Sequence, residues 1–488
     1  MDRRKINDYE RGSEALAVLH SLLSYGDNLH YEKFSNGSVK CIEDEVPFGL
    51  PDGWAWVRLG NLSAAIQYGL SNSAEPQGTH RLLRITDIQD GKVDWNAVPF
   101  TTVNDPEAYL LKTGDIVFAR TGATVGKSFL ITETPYPSVY ASYLIRIRLL
   151  GSLSPEYIYQ FFDSACYWSQ ITDKSVGVGQ PNCNGTSLKE LFIPLPPISE
   201  QLRIVPTAQA LLAYVAKIDA EKKSLLSIIM ATKSKILDLA IRGQLIPQDP
   251  NDEPASVLLE RIRAEKEELI KQGKIKRDKK ESVIFRGEDN SYYLNNGQTT
   301  VDINDDLPFD IPDSWRWVRL KDVFIINPRN KLDDDLDVSF IPMPLIDDGY
   351  SGKHATEVRH WKEVKNGFTH FAEGDVGVAK ITPCFENRKS TVFENLTNGY
   401  GAGTTELHVL RPFGNNIFVQ YLLAYIKSDY FVEKGKQTFT GDVGQQRISK
   451  AYVESAYFPL PPVKEQERIV QQIGIIFEFL NMIMDALS

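Results

Sequence analysis

Pro194-Leu195-Pro196-Pro197-Ile198-Ser199-Glu200-Gln201 closes one domain and opens a long helix, and nearly the same words return as Pro459-Leu460-Pro461-Pro462-Val463-Lys464-Glu465-Gln466. Arg203-Ile204-Val205 is likewise echoed by Arg468-Ile469-Val470. Proline lacks a backbone N–H and pushes its predecessor out of the helical region, so such a cluster ends one element and stiffens the start of the next. Early Glu and Gln suit the positive end of a helix dipole. Either copy alone reads as one more helix start. Two copies far apart predict a duplicated architecture.

Outward from these phrases the repeat continues. Leu50-Pro51-Asp52-Gly53-Trp54-Ala55-Trp56-Val57-Arg58-Leu59 returns as Ile311-Pro312-Asp313-Ser314-Trp315-Arg316-Trp317-Val318-Arg319-Leu320, an offset of 261 residues. The alternating tryptophans predict short strands with both rings of each pair on one face, for packing rather than base stacking. Gly114-Asp115-Ile116-Val117 matches Gly374-Asp375-Val376-Gly377, and Val178-Gly179-Gln180-Pro181-Asn182 matches Val443-Gly444-Gln445-Gln446-Arg447 at an offset of 265. Glycine permits a tight loop there, while the amides and Arg447 offer hydrogen bonds to DNA or a partner. The duplication therefore spans whole domains.

Between the phrases, short apolar runs broken by Gly, Pro, Asn and Asp predict mainly β domains with small helices, an α+β fold. Strands are expected at 82–85, 115–119, 143–149, 375–379 and 405–410, and helices at 155–167 and 416–425. The plan is an N-terminal segment (1–45) holding a short helix at 14–23, a first domain (46–193), a first long helix (194–243), a connector with a charged helix (244–306), a second domain (307–458) and a second helix (459–488). In the connector, 255–272 is basic but interleaved with Glu, which favours a solvated helical face over a DNA arm.

The first long helix carries Leu211, Val215, Ile218, Leu225, Ile229, Ile236 and Leu239 at steps of four and three, with Lys222 and Thr232 as its polar members. Ile469, Ile473, Ile476, Leu480, Ile483 and Leu487 keep the same rhythm in the second. Each stripe could pack on its own domain. Two complementary seams most simply pair with each other as antiparallel coiled-coil helices, giving a pseudo-two-fold arrangement.

At 488 residues, 42% hydrophobic and 24% charged, the composition is that of a soluble multi-domain protein. No apolar run approaches a membrane span and the N-terminus leads into no signal-peptide core, so a cytoplasmic location without membrane contact is expected. Cys41, Cys166, Cys183 and Cys384 are scattered and read as free thiols. His354, His360 and His370 lack metal-ligand spacing and read as surface or nucleic-acid-contacting residues. A net charge of -10 speaks against a nucleic-acid partner at long range, yet binding depends on where positive residues cluster.

Catalytic chemistry is hard to find. Gly122-Ala123-Thr124-Val125-Gly126-Lys127-Ser128 is one residue short of a phosphate-binding loop and suits a DNA-backbone contact better. Asn327-Pro328-Arg329-Asn330 lacks the second proline and the aromatic of an adenine methyltransferase loop, and Asp333-Asp334-Asp335 reads as a solvated acidic run. Neither catalytic residues nor metal ligands are assigned.

With tandem domains, Pro-Leu-Pro-Pro boundaries and paired helices, the chain resembles the specificity (S) subunit of type I restriction-modification systems. The resemblance rests on the two Trp-Val-Arg-Leu starts, the two Gly-Gln loops, the two boundaries and Gly243-Gln244-Leu245-Ile246-Pro247-Gln248-Asp249-Pro250. It implies a non-catalytic subunit in which each target-recognition domain reads one half of a bipartite target on double-stranded DNA. The helices would set the spacer and dock two methyltransferase (M) subunits, which bind S-adenosylmethionine, while restriction (R) motor-nuclease subunits join for cleavage; no cofactor is expected in this chain. Residues 31–54 repeat 292–315, so residues 1–30 are expected to complete the shorter second helix, with truncation or dimerisation as the rival explanations.

The DNA-binding candidates are Tyr68, Arg81, Arg84, Lys92, Arg120, Lys127 and Gln180 in the first domain. In the second they are Arg329, Lys331, Lys353, His354, Arg359, Lys380, Arg388, Lys389, Gln437, Gln445 and Arg447. Arg and Lys can bond guanine and Gln adenine, but the same residues bind phosphate as often. Two other readings stay open: the recognition part of a methyltransferase or nuclease enzyme, and a protein-binding adaptor without DNA specificity.

Overall fold

A computed structural model describes residues 29, 31–33, 37–89, 91–175, 181–277, 282–414, 416–442 and 444–487. The chain forms two compact units, 1–218 and 219–488, and the 44-residue helix Ile198–Ile241 runs through the boundary. The expected helix at 14–23 lies outside the described residues.

Each unit is closed by a ribbon that the repeated phrases make together. Ala55–Arg58 pairs antiparallel with Phe192–Leu195, placing Trp56 opposite Pro194. In the second unit Arg316–Arg319 pairs with Tyr457–Leu460 and Trp317 faces Pro459. Beside the ribbon lies a four-stranded antiparallel sheet, in the order Ser128–Leu130, Ile116–Ala119, Leu144–Leu149, Ser63–Tyr68. The second unit repeats that order with Ser390–Val392, Val376–Ala379, Leu407–Pro412 and Phe324–Ile326. Ile116–Ala119 and Val376–Ala379 are buried at every residue, which is why their sequence is a continuous apolar run rather than an alternation. A further sheet in each unit contains a parallel pair, His80–Leu83 with Ser138–Tyr140 and Asp337–Ile341 with Tyr400–Gly403.

The aspartates that begin the central strands are buried and gripped bidentately. Arg148 donates to Asp115 through Nε at 2.7 Å and Nη2 at 2.6 Å. Arg411 does the same to Asp375 at 2.8 and 2.7 Å. Both Gly-Asp phrases are therefore structural, since a buried carboxylate is tolerated only when paired. The hairpin Tyr31–Lys33/Val39–Cys41 recurs as Tyr292–Asn295/Thr300–Asp302, with Val283–Arg286 added as a third strand.

Two local expectations need correction. The tryptophans of each pair do not share a strand face. Trp54 precedes its strand and donates to Glu200 at 3.2 Å, while Trp56 packs with Ile42 and Phe192. Trp315 enters the main core of the second unit, and Trp317 joins Ile284, Tyr292 and Ile303. Each strand starts one residue later than the alternation suggests, so the turn and not the pleat aims the first ring. The helix expected at 155–167 is two, Pro155–Phe161 and Ala165–Lys174, because the Ser164 hydroxyl accepts from Tyr167 N and caps a new helix. Ser428 likewise separates Val419–Ile426 from Asp429–Lys436.

The Glu-Gln signature locks each long helix to its domain. Buried Gln201 accepts from Ser154 N at 3.1 Å through Oε1 and donates to Pro196 O at 2.8 Å through Nε2. Tyr157 and Tyr421 donate their hydroxyls to Pro194 O and Pro459 O, at 2.6 and 2.9 Å.

In the second unit the C-terminal helix Val463–Leu487 packs on the end of the long helix. Ile229, Ile236, Ile469 and Ile473 are buried, and Leu239, Ile476, Leu480 and Leu487 are half-buried. Lys233 sits inside this contact, donating to Asn481 Oδ1 at 2.6 Å over the Phe477 ring. The rest of the stripe is uncovered. Leu211 is 61%, Val215 55%, Ile218 62%, Leu225 39% and Ile483 44% exposed. Among the described residues of the second unit the seam pairs through Ile229, Lys233 and Ile236, where the 25-residue C-terminal helix meets the end of the 44-residue one, and the expected completion by residues 1–30 falls almost wholly outside the described residues. Taken by length and hydropathy alone, Val463–Leu487 could cross a membrane, which corrects the expectation that no stretch qualifies. Its Ile469 and Ile473 instead enter the protein core.

The charged helix Ala255–Lys271 is amphipathic, burying Ala255, Leu258, Leu259 and Ile262 and exposing Glu260, Arg261, Arg263, Glu268 and Lys271, while Glu265 turns one carboxylate oxygen inward and Lys266 lies over Phe413.

Candidate nucleic-acid interface

The buried central strand of each unit runs out into a basic residue at a crossing of three chain segments. In the second unit Lys380 N donates to Glu406 O at 2.9 Å, and Lys380 O accepts from Ile448 N at 3.0 Å. Ile381 then bridges Arg447. In the first unit Arg120 N donates to Tyr143 O at 3.1 Å, Arg120 O accepts from Cys183 N at 3.0 Å, and Thr121 bridges Asn182. The same backbone junction therefore presents Arg120, Tyr143 and Asn182 in one domain and Lys380, Glu406 and Arg447 in the other.

The side chains at the two junctions differ. Arg120 lies 4.9 Å over the Tyr68 ring, and the Tyr68 hydroxyl accepts from Gly185 N at 2.7 Å. Arg120 Nε and Asn182 Oδ1 are buried atoms without a protein partner. Tyr143 is 65% exposed. In the second unit Lys380 lines a cleft of about 270 Å³ with Asn327, Arg329, His370 and Thr405. Arg329 is exposed and donates to Phe368 O at 2.9 Å. Arg447 holds the Glu406 carboxyl below the usual carboxylate range by hydrogen bonding. Burial pushes His408, behind the junction, down to about 4, so it stays neutral.

Other candidates are committed to the fold. Arg81 is sandwiched 3.9 Å from the Phe100 ring centre and 5.0 Å from that of Tyr136. Arg84 pairs with Asp87 at 2.6 Å. Arg388 donates to Lys427 O at 3.0 Å and pairs with Asp429; Lys389 donates to Ile346 O at 2.7 Å and pairs with Asp348. His354 accepts from Glu394 N at 3.2 Å, and its half-buried ring titrates below the usual histidine range. His370 is no surface residue: it is buried against Trp361, its Nδ1 accepts from Asn330 N at 3.2 Å and its Nε2 faces Lys365 O at 3.0 Å.

Lys92, Lys331, Lys353, Arg359 and Gln437 are exposed but away from the junctions' backbone network, with Arg359 lying 4.1 Å over Phe340, whereas the carbonyl of exposed Lys127 accepts from Ala119 N at 2.8 Å, one residue before Arg120. Gln445 is exposed beside Arg447, and Gln180 lies outside the described residues. The loop that imitates a phosphate-binding loop is shaped by packing. Gly126 (φ +89°) lies under Trp168, and its carbonyl accepts from the Tyr167 hydroxyl at 2.6 Å. Tyr143 and Glu406 escaped sequence reading, while Asn182 stands among the amides of its Gly-Gln phrase and Asn327 only in the phrase compared with a methyltransferase loop. The shared offsets of the flanking phrases mark their positions, but a tyrosine and a glutamate have no chemistry in common to flag them.

The fold is a duplicated α+β one, two like domains each fastened to a long helix. Residues 51–228 and 312–484 match the family described as type I restriction modification DNA specificity domain, and the chain belongs to that family. It is 48% identical over 243 residues to the type I restriction enzyme EcoAI specificity subunit of Escherichia coli, covering 50% of this chain and 38% of that protein. Identity to the EcoEI specificity subunit of Escherichia coli is 46% over 243 residues, with the same two shares. The chain spans 38% of the length of these curated relatives in its match. Its fold is similar to the crystal structure of the HsdS subunit from Thermoanaerobacter tengcongensis, with a TM-score of 0.51 at 18% identity over 91% of this chain and 93% of that one.

Proposed function

We propose that this chain is the sequence-specific DNA-binding subunit of a type I restriction-modification complex. Each domain reads one half of a bipartite target in double-stranded DNA, and the long helices set the spacer and dock two methyltransferase subunits. The observation that carries the reading is the double family match, one copy on each domain, with a basic residue at the same backbone junction in both. The junctions differ in every side chain, which supports two unlike half-sites.

The chain is non-catalytic in this reading. S-adenosylmethionine binds the methyltransferase subunits, restriction subunits supply the motor and nuclease, and the complex works in the cytoplasm. The uncovered Leu211, Val215 and Ile218 offer an apolar face on which partner helices would dock. Methylation-sensitive sequencing of DNA from cells carrying this chain and its methyltransferase tests the proposal. A split, asymmetric adenine-methylated motif is expected; an unbroken palindrome, or methyl transfer by the purified chain alone, would overturn it.

A further inference from the structure

The guanidinium of Arg447 is held along its Nε/Nη2 edge by a carboxylate, as that of Arg84 is by Asp87, but of the two only Arg447 lies at a junction. Nε donates to Glu406 Oε2 at 2.9 Å, Nη2 to Glu406 Oε1 at 3.0 Å and Nη1 to Gln445 O at 2.8 Å. Its backbone is fixed as well, exchanging hydrogen bonds with Thr440 at 2.9 and 3.1 Å. A guanidinium has five N–H donors in one rigid plane. Glu406 occupies the Nε/Nη2 edge and Gln445 takes one donor of Nη1, so two donors, one each on Nη1 and Nη2, remain for a ligand. The side chain is 39% exposed, so they are reachable from solvent.

A phosphate contact is served best by a net positive charge, whereas base reading needs directed donors. Pairing with Glu406 cancels the charge of Arg447 and keeps its geometry. Lys380, next along the junction, is the complementary case, a flexible ammonium with no directional fork. Two parallel donors on a fixed plane match the O6 and N7 acceptors of guanine in the major groove.

We infer that Arg447, positioned by the Glu406 carboxylate, reads a guanine in the half-site of the second domain. The inference rests on the DNA-reading function proposed above. In the first domain the equivalent places hold Asn182 and Tyr143, so that domain has no such fork at its junction and reads its half-site there by other means.

The test uses the full chain assembled with its methyltransferase, comparing Arg447→Ala, Arg447→Lys and Glu406→Gln with the parent by methylation sequencing and by DNA binding across a salt series. Thermal melting confirms that each variant is folded. Arg447→Ala is expected to lose about 10-fold or more discrimination at one guanine of one half-site, leaving the other half-site unchanged. Arg447→Lys, which keeps the charge without the fork, should relax the same position. Glu406→Gln should relax it too while strengthening binding to unrelated DNA, because the pair then carries a net positive charge.

A motif unchanged in all three variants overturns the inference, as does a second half-site lacking guanine. Uniform weakening in Arg447→Ala with a shallower salt slope makes Arg447 a phosphate contact and also overturns it. If the parent complex itself yields no bipartite motif, the DNA-reading function fails, and the inference with it.

Discussion

Gln466 accepts the backbone N–H of Phe418 through Oε1 at 2.9 Å, fastening the first turn of the C-terminal helix to the segment that begins Val419–Ile426. Its Nε2 donates to Pro461 O at 2.9 Å, so one buried amide satisfies a donor and an acceptor of the main chain. Gln466→Ala strands both groups, and a buried unpaired group costs about 1–3 kcal/mol. The variant is expected to lose about 2–4 kcal/mol of unfolding free energy, measured as a lower urea midpoint. An unchanged midpoint would show that water replaces the amide.

Lys427 is buried, with Nζ donating to Gly349 O at 2.6 Å and Arg388 O at 2.8 Å. Burial first, and then the charge of Arg388, push it down to about 7, while Asp347 and Asp348 act in the opposite sense. An unfolded lysine titrates near about 10.4. Between those values the unfolded chain binds a proton that the folded chain does not, so unfolding free energy rises with pH; the contribution is lost as pH falls through about 7. Urea midpoints at about pH 6.5 and about pH 9.5 should therefore show a rise in the parent that Lys427→Met lacks. Parallel profiles for the two proteins would exclude this role.

Leu211, Val215 and Ile218 are exposed, whereas Ile473 is buried on the same kind of stripe. Replacing the first three with serine should change folding stability by less than about 0.5 kcal/mol each, yet abolish assembly with the methyltransferase subunits, read by mass photometry. Ile473→Ala should instead cost about 2–4 kcal/mol on unfolding. A triple serine variant that still assembles would place the docking face elsewhere.

Arg120 and Lys380 occupy the same backbone junction in their domains. Arg120→Gln and Lys380→Gln are each expected to weaken specific DNA binding by the assembled complex and to lower its log–log salt slope by about 0.9 for each phosphate contact removed. Binding that is unchanged across the salt series counts against both.

The duplication was legible because its phrases are where main chain must be gripped. Asp115 and Asp375 cap buried strands, Gln201 and Gln466 fasten helices, and prolines opposite Trp56 and Trp317 end the ribbons. Such geometric demands recur wherever the fold recurs. Positions proposed to contact bases obey no such demand, and a list of basic residues mixes Arg447 with Arg81 and Arg388, which face Phe100 and the Lys427 carbonyl. Only contact geometry separates a guanidinium that supports the fold from one that remains on offer. The ring orientation of Trp54 and the break at Ser164 were missed for a related reason: a turn and a side-chain cap override periodicity.

The closing ribbons carry a consequence for how such a protein can change. The first and last strands of each domain lie side by side, so the interior hangs from two adjacent points on an unchanged frame. Recombination between related chains within the two short phrases would exchange an entire interior in one event, keeping the ribbon and the helix attachment intact. Under the proposed DNA-reading function, new target preferences would then arise by trading whole modules, each already folded, rather than by stepwise mutation through non-reading intermediates.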